Sequence, residues 1–382
     1  MAFGTIIALG VRFALRDFES SDMQTHLLTW YNYINEEGGI RALTKTVGDY
    51  NIPYQVFIAL MTYIPINPMY GYKAFSAVFD ILMGLAAARI IYDFSGSKLK
   101  ASVIYVIAIN LPMVFVNSAM WGQCDSIYVF FCLCSLSCYM TKKDNLVFIF
   151  LGLAFAFKFQ TIFFLVFLLF MYFRERRFSI VRLIYVPIVI IVLSLPAIVQ
   201  GRNVLDIFRI YINQTDSYQY ISLNYPSFWN IMFRDSAPGY YPLFKNVAIL
   251  ITFLVLGILS AYLLSKNYEL NSLTLIMLSF IFSYTSVLFL PAMHERYDYL
   301  PMMIGLILAF MYKKTIPLYI GLSIVNIQGI FSWMLQLPFP NQQLFAVINV
   351  LIYSAYIWII IKNLTKKPAI CTEEEDSHPL RH

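Results

Sequence analysis

Four stretches far apart in this chain carry the residue types that proton transfer and anion binding require. They read Arg16-Asp17-Phe18-Glu19-Ser20-Ser21-Asp22-Met23, then Gly48-Asp49-Tyr50, then Trp121-Gly122-Gln123-Cys124-Asp125-Ser126, and last His294-Glu295-Arg296-Tyr297. A carboxylate such as Asp22 or Asp49 can take a proton from a hydroxyl. Arg296 and His294 can hold an anion through charge-assisted hydrogen bonds. One such cluster is also what any solvated loop carries, so the argument depends on whether the clusters meet.

Lys158 stands apart from them, in Phe157-Lys158-Phe159-Gln160 between two apolar runs. Helices of about 13 and 15 residues are ~20 Å long, short of a hydrocarbon core of about 30 Å. Their shared tip, with Lys158 and Gln160, therefore stops below the outer surface. An ionisable group at that depth is a functional candidate, and its natural partner is an anion such as a lipid phosphate. Snorkelling to the interface is the competing reading. Asp80 raises the same question inside residues 70–92; Arg89 lies on the opposite side of that helix, so the sequence assigns Asp80 no role. Five cysteines and four histidines form no ligand pattern, so neither a metal nor a cofactor is expected.

The elements that position these residues follow from composition. The chain is 60% hydrophobic and 13% charged, against about 45–50% and about 25% in soluble domains. That excludes a soluble enzyme, a disordered chain and a secreted disulfide scaffold, and predicts an all-α polytopic membrane protein. Nucleic acid is excluded as a partner by a dispersed net charge of +6. About twelve transmembrane helices are expected, near 2–16, 70–92, 101–118, 126–140, 145–157, 159–173, 183–199, 246–264, 270–290, 299–311, 315–335 and 344–361. Residues 54–64 read as a re-entrant or interfacial segment.

The short connections 93–100, 141–144, 174–182, 265–269, 312–314 and 362–367 hold 14 Lys and Arg in 35 residues. The opposite set, 17–69, 119–125, 200–244, 291–298 and 336–343, holds six in 121. The positive-inside rule then puts both termini in the cytoplasm and the long loops 17–69 and 200–244 outside. Residues 1–368 are expected to form one transmembrane domain and 369–382 a cytosolic acidic tail. Aromatic residues fill loop 200–244, where an interfacial role explains most of them.

Taken together, Ser21-Asp22, Trp121-Gly122-Gln123 with Asp125-Ser126, Lys158 with Gln160, Leu223-Asn224 through Trp229-Asn230, and His294-Glu295-Arg296-Tyr297 resemble a known family. The chain is similar to the GT-C membrane glycosyltransferases that use polyprenyl-phosphate sugars, and most to the bacterial branch related to the GPI-anchor second mannosyltransferase. The resemblance implies transfer of one hexose, with inversion, to a glycan or glycolipid acceptor at the outer face of a bacterial cytoplasmic membrane. It implies Asp22 as base, with Asp49 the runner-up as base or sugar ligand. It gives Lys158, Gln160, His294 and Arg296 to the donor phosphate. Trp121, Gln123, Asp125, Glu295, Tyr297, Asn224 and Trp229 would shape the site, with membrane lipids as neighbours. A departing phosphate needs no protonation, so one carboxylate suffices where a typical glycosidase uses two. A polysaccharide polymerase and a lipid-linked sugar flippase or transporter are the alternative classes. The first would rely on an arginine-rich outer loop, and the second on charges lining a path through the midplane.

Overall fold

The structure is a computed structural model that describes residues 1–214, 218–233, 241–336 and 341–365. The acidic tail expected at 369–382 lies outside the described residues. The chain opens with α1 (Ala2–Ala14), followed in the first long loop by α2 (Leu28–Glu36) and α3 (Ile52–Met61). Next come α4 (Pro68–Ser95), α5 (Lys98–Asn110), α6 (Pro112–Phe115), α7 (Asp125–Met140), α8 (Asp144–Phe157), α9 (Ile162–Glu175) and α10 (Tyr185–Val199). The second long loop holds α11 (Val204–Gln214) and β1 (Ser222–Leu223). After α12 (Tyr241–Leu264) and α13 (Ser272–Phe289) come β2 (Met293–His294), α14 (Tyr299–Met311), α15 (Ile316–Met334) and α16 (Gln342–Leu364).

Each of the twelve apolar segments forms a helix, but length separates helices from membrane crossings. Six are long and apolar enough to span alone: Pro68–Ser95, Ile180–Val199, Tyr241–Leu264, Ser272–Phe289, Lys313–Met334 and Gln342–Leu364. A seventh span exists if α5 and the helical turns Pro112–Trp121, bent by 50°, count as one. The bend falls at Pro112, which cannot donate into the helix before it. The remaining expected spans α1, α7, α8, α9 and α14 have 13, 16, 14, 14 and 13 residues. At 1.5 Å per residue these fall short of a core of about 30 Å. Of the twelve expected spans, length and composition alone thus support six or seven as crossing the membrane. α3 is shorter still, with 10 residues, and is buried against α8 and α10.

Local signals set the boundaries. Asn67 caps α4 by accepting from the Met69 amide, Pro68 occupies the first turn, and Gly96 at φ 64° stops the helix. Ser97 then caps α5, so α4 and α5 form a tight antiparallel pair. α13 is buried along its whole length, and its hydroxyls bond back into the helix, as in Ser283 to Ser279 O at 2.7 Å and Ser286 to Phe282 O at 2.9 Å. A helix apolar on every side belongs in the centre, and α9, α12, α14 and α16 pack around it.

Polar contacts gather the connections into two groups. In one, Arg174 donates to the carbonyls of Leu264 and Tyr268, while Arg177 and Arg182 both pair with Asp144. The basic connections 141–144, 174–182 and 265–269 thus share one end. In the other group, β1 pairs in parallel with β2, Ser222 opposite Met293 and Leu223 opposite His294. Arg202 reaches back to the carbonyls of Leu43 and Lys45, and the Tyr211 hydroxyl donates to Phe155 O at 2.8 Å.

One buried ion pair answers the question raised by Asp80. Arg12 of α1 donates to Asp80 Oδ2 from Nε at 3.1 Å and from a terminal nitrogen at 2.7 Å. Its remaining donors reach the carbonyls of Ala8 and Ile109, both at 3.0 Å. Asp80 is fully buried, and the pair fastens α1 to α4 and α5. Removing one partner strands the other charge, which typically costs about 3–5 kcal/mol, whereas replacing both with apolar groups is far milder. Asp80→Ala is therefore expected to lower the melting temperature in detergent strongly, and Arg12→Met with Asp80→Met to melt above either single variant. Additive losses in the double variant would contradict the pairing.

Candidate active site

Asp22 opens a short π-helical turn, Met23–Leu27, beyond α1. Three donors converge on its Oδ2: Trp121 Nε1 at 2.8 Å, Gln123 Nε2 at 3.1 Å and an Arg296 terminal nitrogen at 3.4 Å. Among the described residues no hydrogen bond falls on Oδ1, so that oxygen keeps both lone pairs. Trp121 and Gln123 flank Gly122, which sits at φ 73° with its α-hydrogen face against Met23. A Cβ at that position would lie 2.4 Å from the Met23 side chain. This left-handed backbone favours glycine.

Arg296 carries the network inward. Its Nε lies 3.9 Å from Asp125 Oδ2, and its guanidinium stacks 4.8 Å from the Trp121 ring centre. Asp125, fully buried in the first turn of α7, also accepts from Asn117 at 2.8 Å and from the Lys158 ammonium. Lys158 breaks the chain between α8 and α9 with an extended backbone, φ −150° and ψ 133°. Within the chain, Lys158 pairs with Asp125. Asp22, Arg296, Asp125 and Lys158 form a row of alternating charge.

This row borders a cavity of about 330 Å³. Asp22, Asp49, Lys158, Gln160, Arg296 and Tyr297 line its polar part, and Ile162, Phe163, Ile249 and Phe253 its apolar part. A second cavity of about 160 Å³ lies beside Glu19, Ser21, Trp121, Trp333 and Gln336, and Asp22 lines both. Asp49 is exposed, and its backbone carbonyl accepts from Gln214 at 2.6 Å.

Other expected site residues stand behind the wall. His294 packs between the rings of Tyr218 and Tyr297, at 4.5 and 4.8 Å, and is not among the residues lining either cavity. Burial and the charge of Arg296 push its imidazole well below the usual range, so it stays neutral at pH 7. Glu295 is buried next to Asn224, and burial raises its carboxyl to about 7. Asn224, at φ 56°, bridges to His294. Trp229 donates to the Phe289 carbonyl at 2.6 Å and so closes the end of α13. Sequence reasoning missed Tyr50, whose hydroxyl donates to Gln123, and Lys245, which lines the main cavity from the first turns of α12. The signals were there: Tyr50 directly follows Asp49, and Lys245 interrupts an apolar run.

The family model described as glycosyltransferase family 87 matches residues 50–291, well over half of the chain. No curated protein matches the chain. Asp125, Lys158 and the apolar wall fall within the matched residues, while Asp22 precedes them and Arg296 follows them.

Asp298, buried two residues beyond Arg296, supplies a stability test. Its Oδ1 accepts from Asn326 at 2.7 Å, its Oδ2 has no partner, and burial raises the carboxyl to about 8. The folded protein then holds this proton from about pH 4 to about pH 8 while the unfolded chain has released it, so stability falls as pH rises through that window. Asp298→Asn is expected to flatten the fall in melting temperature from about pH 5 to about pH 8 and to melt above the parent at the upper end. An unchanged slope would contradict the buried neutral carboxyl.

Proposed function

The chain belongs to glycosyltransferase family 87, and from that premise we propose that it moves one hexose from a polyprenyl-phosphate sugar to an acceptor glycan or glycolipid. The observation that carries the donor class is the cavity's division. Lys158 and Arg296 border Asp22 at one side, and Ile249 and Phe253, one and two turns beyond Lys245 on the same face of α12, line the other. Phe253 is 68% exposed, so the apolar side opens toward lipid. A sugar joined through phosphate to an apolar chain has the same division. The match of Trp121 to Ser126 and His294 to Tyr297 supports a GT-C architecture and kinship with the GPI-anchor branch.

The chemistry follows from the placement of Asp22 between two cavities. The acceptor hydroxyl approaches from the smaller one and gives its proton to Asp22 Oδ1. Its oxygen attacks C1 of the sugar from the face opposite the phosphate, and the anomeric configuration inverts. The bonding pair of the broken C1–O bond leaves with the phosphate, whose charge Lys158 and Arg296 stabilise. Gln160 and Asp49 contact the donor's phosphate and sugar. No metal or cofactor enters these steps. Asp125 keeps the two cations apart and oriented until the donor arrives.

The protein is an integral membrane protein, and the outer face is the proposed side of the reaction. Two facts support that side: the charge asymmetry of the connections, and the meeting of the basic ones away from Asp22. A bacterial cytoplasmic membrane with both termini inside fits the same asymmetry.

Purified protein with a glycolipid extract of the source membrane is expected to transfer label from polyprenyl-phosphate mannose, glucose or galactose, and not from the nucleotide sugars. Efficient transfer from a nucleotide sugar alone would overturn the donor class. Asp22→Asn should lower kcat by about 10²–10⁴-fold while donor binding survives. A near-parental kcat would move the base to Asp49. For sidedness, Glu37→Cys in a background without the native cysteines should react with a membrane-impermeant maleimide in spheroplasts. Labelling only after lysis would put the first loop, and Asp22 with it, in the cytoplasm.

A further inference from the structure

We infer that Tyr50 is a positioning residue for the base, its hydroxyl acting through Gln123 to hold one of the three donors that occupy Asp22 Oδ2 and leave Oδ1 free. The inference rests on the reading of Asp22 as base and adds a residue to it. A glutamine amide has two ends of nearly equal shape and opposite polarity, and only its partners decide which end faces a carboxylate. With Nε2 toward Asp22 it donates; with Oε1 there, two acceptors would face each other. The Tyr50 hydroxyl donates to Gln123 Oε1 and so holds Nε2 3.1 Å from Asp22 Oδ2.

Tyr50 is itself held in place. Gln55 donates to its backbone carbonyl at 2.7 Å. Its ring packs edge-on to Trp30 at 5.4 Å and against Tyr54 at 4.7 Å. Burial pushes its phenol well above the ordinary value, so the hydroxyl keeps its proton and remains a donor. The other two donors to Asp22 differ in kind. Trp121 has a single fixed N–H, and Arg296, 3.4 Å from Asp22, is shared with Asp125. Without Tyr50 the amide is free to turn, and the carboxylate loses one of the three donors that hold Oδ2 and leave Oδ1 open.

The test is a double-mutant cycle on the full-length protein, with polyprenyl-phosphate mannose, glucose and galactose as donors and the source membrane's glycolipid extract as acceptor. Tyr50→Phe is expected to lower kcat about tenfold, the order expected for one hydrogen bond to a charged group, with donor KM and melting temperature near the parent. Gln123→Ala should lower kcat at least as much. In the Gln123→Ala background, Tyr50→Phe should add nothing, because its target is gone. Equal losses from Tyr50→Phe in both backgrounds would overturn the inference, as would a Tyr50→Phe enzyme with parental kcat. A rise in donor KM at constant kcat would make Tyr50 a donor contact and also overturn it. Asp22→Asn is assayed in parallel. If it collapses while Tyr50→Phe does not, only the positioning role fails; if Asp22→Asn keeps parental kcat, the base assignment fails and takes this inference with it.

Discussion

Four side chains of alternating sign, Asp22, Arg296, Asp125 and Lys158, form the arrangement on which the rest of the structure depends. In low dielectric a lone charge is expensive, and a row in which each has an opposite neighbour is tolerable. Asp125 is the centre of that row, buried completely and holding both cations through different oxygens. The cost of such a site falls if its members are pulled together from elements that have other reasons to be where they are. α7 contributes Asp125 from its first turn, where the helix dipole favours a negative charge. Arg296 follows central α13, and Lys158 sits at the break between two helices too short to continue. An alternating row also leaves the site nearly neutral, so Lys158 and Arg296 stand close together without strong mutual repulsion, as the proposed phosphate role requires.

The Arg12–Asp80 pair plays the supporting part. Asp22 stands on a turn just beyond α1, and its position depends on where α1 ends. α1 has only 13 residues and an exposed apolar outer face, so packing alone holds it weakly. The guanidinium fixes its register on α4 and α5 through three hydrogen bonds, two of them to the fully buried Asp80. Lys73, one face of α4 further out, donates to the carbonyls of Arg16 and Phe18 and steadies the link between α1 and Asp22. On α4 the Ser76 carbonyl receives the hydroxyl of Ser126, next to Asp125. α4 thereby holds both halves of the site in one frame, from Arg12 on one side and Ser126 on the other.

The cavities follow from what the charge row excludes. Trp121 stacks against Arg296, donates to Asp22 and lines the small cavity, while Arg296 lines the large one and Asp22 borders both. A proposed base that borders both spaces can meet one substrate from each without either passing through the other. The apolar flank of the larger cavity belongs to α9 and α12, elements whose outer surfaces would face lipid in any case. Opening the site sideways there requires no extra polar surface, which is the arrangement a lipid-linked donor favours.

Composition by itself determined that this is a helical membrane protein, because 13% charge cannot coat a globule of this size. The apolar runs located twelve helices, and Asn67-Pro68, Gly96-Ser97 and Pro112 marked where some begin, end and bend, since caps and breakers act over a few residues. The candidate residues were also legible, from residue type and motif resemblance. Their partners were not. Arg12 and Asp80 are 68 positions apart, Lys158 and Asp125 33, and Asp22 and Arg296 274, and no local pattern encodes which of several charges will meet in space. Where a helix stops is written in its own residues; what its last side chain touches is decided by every other helix in the bundle.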